Sequence, residues 1–184
     1  YSGSSQTLAG SGSYVSYGNN SGTNATSYTV SVTADGNHTF NDGTTSKTLS
    51  CSIGKKAATC TSGNSSKTYD GSALTNTTGG SCTNLVSGHA ATFSGHTGTI
   101  TNVGSTSNGF GSVVIKSGST DVTSNYNITK ANGTLTINAR ATTCTSGSSS
   151  RVWNGSALTN TTGGSCTNLV SGHTATFSGH TGSI

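Results

Sequence analysis

The chain has 184 residues, and Ser 34, Thr 36, Asn 17 and Gly 27 supply 114 of them, while Glu, Pro and Met are absent and the formal net charge is +4. Long helices need Ala, Leu, Glu, Lys, Gln and Arg, so this mixture excludes a helical protein. No apolar run approaches the length of a membrane-spanning helix, and the eight basic residues are scattered apart from Lys55-Lys56, without the basic stripe a nucleic-acid surface needs.

In chain order, the first clear strand candidate is 27–33, rich in Tyr, Thr and Val. A second follows in 47–56, where Leu49, Cys51 and Ile53 alternate onto one face, the period-2 signal of a half-buried strand. Further candidates are 90–93, 112–116 and 125–129, and then 131–140, where Leu135, Ile137 and Ala139 alternate in the same way. Turn signals separate them: Asp35-Gly36, Asp42-Gly43, Asp70-Gly71, Asn108-Gly109 and Asn132-Gly133. Leu, Ile, Val and Phe make up a small fraction of the chain, as is often seen in disordered chains, but those carry more net charge than this one. The expectation is all-β, in small units with thin cores.

An internal repeat organises the chain. Residues 57–100 recur as residues 141–184 at an offset of 84, with 36 of 44 positions identical, and residues 72–89 recur unchanged as 156–173. A period of 84 is too long for a solenoid coil and suits one small β-sandwich. Residues 47–56 lie in register with 131–140, so the segment 1–56 reads as a diverged unit. The expected division is 1–56, a diverged and N-terminally truncated repeat; 57–140, a whole repeat; and 141–184, the start of a further one. The junctions at 53–60 and 137–144 leave only a short stretch between the last strand of one unit and the first of the next. Neighbours are therefore expected to form a stiff, extended string, and the chain reads as a window on a longer array.

Ser66-Lys-Thr-Tyr-Asp-Gly-Ser-Ala-Leu-Thr75, Leu85-Val-Ser-Gly-His89, Thr101-Asn-Val-Gly104, Asp121-Val-Thr-Ser-Asn-Tyr-Asn-Ile-Thr129 and Gly133-Thr-Leu-Thr-Ile137 follow one another in that order. This series resembles the YDG/MBG-type immunoglobulin-like repeats of large bacterial surface proteins and adhesins. The first unit, through Ser27-Tyr-Thr-Val-Ser-Val32 and Asn41-Asp-Gly-Thr-Thr45, is similar to a sister version of the module. The resemblance implies tandem small Ig-like β-sandwich domains in an extended array, located extracellularly at a cell surface, as a stalk or adhesin segment with no defined ligand. The absence of Pro, the cysteines and the heavy Ser/Thr/Asn content depart from the family pattern.

The spacing between Cys60 and Cys82 is repeated between Cys144 and Cys166. One pair per unit in a core-poor β domain reads as an intradomain disulfide. The alternative is four buried thiols acting as small hydrophobes; the close C-x₂-C spacing of a zinc site is missing. Cys51, at the position matching Leu135, is either a buried unpaired thiol or the partner of a cysteine outside this window.

None of the four acids suggests catalysis. Tyr69-Asp-Gly71 becomes Trp153-Asn-Gly155 in the second copy, which keeps a positive-φ turn and discards the carboxylate. Asp35 and Asp42 also precede glycine, and Asp121 is expected to bond local backbone. His89, His96, His173 and His180 lie in Ser-Gly-His, and the odd spacing within each pair puts the two on opposite faces of a continuous strand. No catalytic, metal-binding or cofactor-binding residue is expected, and covalent glycans are the only non-protein groups anticipated. The acceptors are the N-x-S/T sequons at Asn76 and Asn160, which recur in a polar stretch expected to be an exposed loop, and at Asn64, Asn127, Asn132, Asn154, Asn19, Asn24 and Asn37. The many Ser and Thr hydroxyls add O-linked possibilities.

The function expected from these features is a structural segment of an extracellular fibre or adhesin stalk, glycosylated and disulfide-stapled. Its partners would be copies of the same repeat, in one chain or side by side. The alternative is a binding module in which Tyr14, Tyr17 and other loop aromatics hold cell-surface carbohydrate or a host receptor.

Overall fold

The computed structural model describes residues 1–160 and 163–184. In the segment 1–56 the strands are β1 (Gln6–Thr7), β2 (Val15–Gly18), β3 (Ser21–Gly22), β4 (Ser27–Ala34) and β5 (Ser46–Ser52). The complete repeat supplies β6 (Lys56–Ser62), β7 (Ser65–Thr68), β8 (Leu74–Thr75), β9 (Gly80–Thr83), β10 (His89–Ser94), β11 (Thr99–Ile100), β12 (Gly104–Asn108), β13 (Ser112–Ser117), β14 (Thr120–Asp121), β15 (Tyr126–Ala131) and β16 (Gly133–Asn138). The last copy adds β17 (Thr143–Ser146) and β18 (Gly164–Thr167). The protein is all-β, and a 3-10 turn at Thr123–Asn125 is the sole helical element among the described residues.

The chain divides into two compact units, residues 1–64, 76–97 and 107–133 in one, and residues 65–75, 98–106 and 134–184 in the other. This is a division by spatial contact, whereas 1–56, 57–140 and 141–184 is a division by sequence identity. The first unit contains the sheets β2-β4-β5, β15-β6-β9 and β10-β13-β14 and the pair β1-β3. Its core has two clusters: Ala58, Ile115, Val122 and Tyr126 form one, and Cys60, Phe110 and Val113 the other. The second unit holds β12-β16-β7 and the pairs β11-β8 and β17-β18, around a cluster of Leu74, Leu135 and Ile137 flanked by Tyr69 and Ile100. These are small cores, as a chain with few large apolar side chains dictates.

Two of the pairings are parallel. β15 runs beside β6 with Ile128 opposite Ala58, and β16 runs beside β7 with Leu135 opposite Ser65 and Ile137 opposite Lys67. The buried Ser62 hydroxyl, at the end of β6, donates to the Asn108 carbonyl and accepts the Gly133 N–H at 2.8 Å. The wholly buried Asn108 side chain donates to the carbonyls of Gly63 (2.9 Å) and Asn76 (3.3 Å). These polar side chains hydrogen-bond to backbone groups, which is the condition for burying them. A Cβ on Gly133 would collide with the carbonyl oxygens of Gly63 and Ser62, so only glycine fits.

Asn132-Gly133 divides β15 from β16 and Asn108-Gly109 divides β12 from β13, as expected of turn signals, and Gly133 is in addition a point of close backbone approach. Gly133 starts a strand and Asn108 ends one. The expected strands at 27–33, 90–93, 112–116 and 125–129 correspond to β4, β10, β13 and β15. The face bearing Leu49, Cys51 and Ile53 is graded in burial: Ile53 is buried, Cys51 half-buried and Leu49 exposed. β5 ends the sheet order β2-β4-β5, so Leu49 has a strand neighbour, with Val30 opposite, on one side only.

Candidate functional site

The repeat reproduces its backbone at the stapled hairpin, whereas the counterparts of β7 and β10 are not strands in the last copy. β6 pairs with β9 with Cys60 opposite Cys82 and Thr59 opposite Thr83, and β17 pairs with β18 with Cys144 opposite Cys166 and Thr143 opposite Thr167. Each cysteine pair is a disulfide, with Cα atoms 4.0 Å apart in the first and 4.1 Å in the second. The left-handed positions also recur, Asn84 at φ 61° with Asn168 at 59°, and Gly95 at 69° with Gly179 at 71°. Asn tolerates that conformation better than most L-residues, which accounts for it at both equivalent sites.

Surroundings distinguish the two staples. Cys60 is wholly buried with Phe110 and Val113, while Cys144 is exposed. Cys51 is the one free cysteine, half-buried and opposite Tyr28 across β4 and β5.

The acids serve turns. The Asp70 carboxylate accepts from the Ser72 N–H at 2.9 Å, the Ser72 hydroxyl at 2.8 Å and the Lys67 ammonium at 2.6 Å. Lys67 also donates to the Ser72 carbonyl at 2.8 Å and its hydroxyl at 2.6 Å. In the second copy the Asn154 side-chain oxygen accepts from the Ser156 N–H at 3.2 Å, and Arg151 reaches the Ser156 carbonyl. Gly71 at φ 81° and Gly155 at 83° complete the same turn, so an amide replaces the carboxylate without changing the backbone. Asp121 accepts from the Thr123 N–H at 2.9 Å.

All four carboxyls are held below the ordinary range. The first cause is the hydrogen bond from the Lys67 ammonium for Asp70, from that of Lys47 for Asp42, from the His38 ring for Asp35 and from the Thr123 side chain for Asp121, with hydrogen bonds from neighbouring backbone N–H groups adding to each. Each is more fully ionised than usual and poorly suited to take up a proton.

The histidines take separate roles. His89 Nδ1 lies 2.7 Å from the hydroxyl of the buried Tyr126, which also accepts the Val86 N–H at 3.0 Å. His96 Nε2 lies 3.0 Å from the Gly79 carbonyl, and Gly95 separates it from the end of β10, so the two do not share one continuous strand. No group of three metal-ligating side chains exists among the described residues.

Seven of the nine sequon asparagines are exposed: Asn19, Asn24, Asn37, Asn64, Asn127, Asn132 and Asn154. Asn76 and Asn160 are half-buried. The Asn76 amide donates to the Asn64 carbonyl at 3.2 Å and its oxygen accepts from the Thr78 N–H at 3.1 Å, so the atom that would carry a sugar is already engaged in a hydrogen bond. Thr161 and Thr162, which complete the Asn160 sequon, lie outside the described residues. Tyr14, 65% exposed, stacks on His38 with ring centroids 4.4 Å apart, whereas Tyr17 is half-buried on β2 opposite Val32.

No protein-family model, curated protein or solved structure matches the chain. No helix among the described residues is long and apolar enough to cross a membrane.

Proposed function

We propose that this chain is a segment of an extracellular fibre or adhesin stalk made of tandem Ig-like β-sandwich repeats, stapled by disulfides and carrying glycans. The observation behind this reading is the identical pairing of Cys60 with Cys82 and of Cys144 with Cys166, in the same strand register, one repeat period apart. Repetition of one small, stapled unit supplies length and resistance to proteolysis rather than a unique pocket. Disulfides belong to oxidising compartments, which favours the cell exterior. Exposed asparagine acceptors and a dense hydroxyl surface suit a hydrated sugar sheath.

The test is a low-resolution image of the native particle together with its intact mass. Extended particles heavier than their bare polypeptide support the proposal. Compact monomers at the bare polypeptide mass refute it.

A further inference from the structure

One contact recurs at both places where a repeat meets the next. Tyr69-Asp-Gly71 of the complete repeat lies against Val170-Ser-Gly-His173 of the last copy. The Tyr69 and His173 ring centroids are 5.9 Å apart, tilted at 51°, and a Cβ on Gly71 would come 3.1 Å from Val170 Cγ1. Tyr1-Ser-Gly3 lies in the same way against Val86-Ser-Gly-His89 of the complete repeat. Here the Tyr1 and His89 ring centroids are 6.1 Å apart, tilted at 45°, and a Cβ on Gly3 would come 2.7 Å from Val86 Cγ1. The frames behind the two turns also agree. The Tyr1 backbone nitrogen donates to the Gly54 carbonyl at 2.7 Å and the Tyr69 N–H to the Asn138 carbonyl at 2.9 Å, and positions 54 and 138 are equivalent in the register of 47–56 on 131–140. Gln6 pairs with Gly22 and Thr7 with Ser21, as Leu74 pairs with Ile100 and Thr75 with Thr99. Gly3 and Gly71 share the left-handed region, at φ 80° and 81°. Each contact lies wholly inside one of the two compact units.

We propose that the Val-Ser-Gly-His turn is the acceptor surface on which each repeat receives the Tyr-x-Gly turn of the repeat before it, so that this pair of turns is the joint between copies. The two filled examples define the chemistry of the partner. A glycine in the left-handed conformation presents bare backbone to the valine methyl, where a side chain would be strained and would meet that methyl. The tyrosine ring lies beside the imidazole and adds apolar cover. The middle residue takes no part, being Ser2 at one joint and Asp70, turned onto Lys67 and Ser72, at the other. At the first joint Tyr126 extends the acceptor. Its hydroxyl accepts the Val86 N–H at 3.0 Å and lies 2.7 Å from His89 Nδ1, and its ring meets that of Tyr1 edge-on with centroids 5.6 Å apart. The joint stands on these contacts and not on the stalk reading, so its failure leaves that reading to be decided by particle shape and mass.

The full chain carries five histidines, whose imidazole proton resonances report on each site separately. Tyr69→Leu removes the ring and keeps an apolar side chain against the cluster of Leu74, Leu135 and Ile137. It should move the His173 resonance and leave His89 in place, while Tyr1→Leu should move His89 and leave His173. A folded Tyr69→Leu chain that leaves His173 unmoved, or moves His89 as much, would overturn the proposal. A cycle of thermal midpoints decides it whatever the tyrosine variants do. Gly3→Ala should lower the midpoint by more than Gly43→Ala, because Gly43 has the same left-handed conformation, at φ 79°, and no neighbour within 4 Å. That excess should disappear in a Val86→Ala background, where the opposing methyl is gone. No excess over Gly43→Ala, or an excess that persists with Val86→Ala, would overturn the joint.

Discussion

Replacing Cys60 and Cys82 together by alanine removes a crosslink that closes a loop with a sequence separation of 22. The chain-entropy relation assigns a loop of that size about 3 kcal/mol at 25 °C, through the freedom restored to the unfolded chain. At about 4–8 °C per kcal/mol for a domain of this size, the thermal midpoint falls by about 10 °C or more. Cys144 and Cys166 close a loop of the same separation, so their removal costs the same on entropic grounds. Packing adds a difference, because Cys60 is wholly buried with Phe110 and Val113 and leaves a small cavity on truncation, while Cys144 is exposed. The first pair should therefore cost somewhat more than the second. The assay is guanidinium and thermal unfolding followed by circular dichroism, in a Cys51→Ser background that prevents thiol exchange. Dithiothreitol should lower the midpoint of the parent and leave it unchanged in a chain lacking both bridges. A loss below about 1 kcal/mol for both pairs, well short of the entropic expectation, would refute the claim that the staples substitute for a thin core.

Three further outcomes follow from the same geometry. Gly133→Ala should destabilise by at least about 2 kcal/mol in denaturant unfolding, because the new methyl meets two carbonyl oxygens that cannot withdraw, whereas Gly36→Ala, with no neighbouring atom in reach of the added carbon, should stay within about 0.5 kcal/mol. Asp70 is depressed in the folded chain, so its contribution is present above the ordinary carboxylate value of about 4 and is lost as pH falls through the lowered one. Asp70→Asn should keep the fold, as Asn154 does in the second copy, and flatten the acid side of the thermal-midpoint profile. Cys144–Cys166 should be reduced before Cys60–Cys82, because an attacking thiolate reaches the exposed bridge first. Timed alkylation and mass spectrometry give the order, and simultaneous or reversed reduction would contradict it.

Local chemistry was legible in the sequence wherever a residue type has one geometric use. The repeated cysteine spacing marked both bridges, and the Asp70-to-Asn154 exchange marked a turn that needs an oxygen acceptor rather than a charge. The β-branched and aromatic run at 27–33 marked β4. Long-range pairing was not legible. Nothing local to Gly133 distinguishes a tight turn from a close backbone approach, because both need the missing Cβ and the second depends on Gly63, far away in sequence. Asn108 and Asn76 are polar residues in polar stretches, and composition gives no sign that one is buried and the other half-buried to satisfy backbone carbonyls.

The central claim is that copies of the unit 57–140 are added to make length along a stiff string. Small-angle scattering on arrays carrying one, two, three and four copies of that unit measures it directly. The account predicts that the maximum dimension grows by a constant increment with each copy. Increments that shrink with copy number, as for flexibly linked beads whose span follows the square root of chain length, would contradict it.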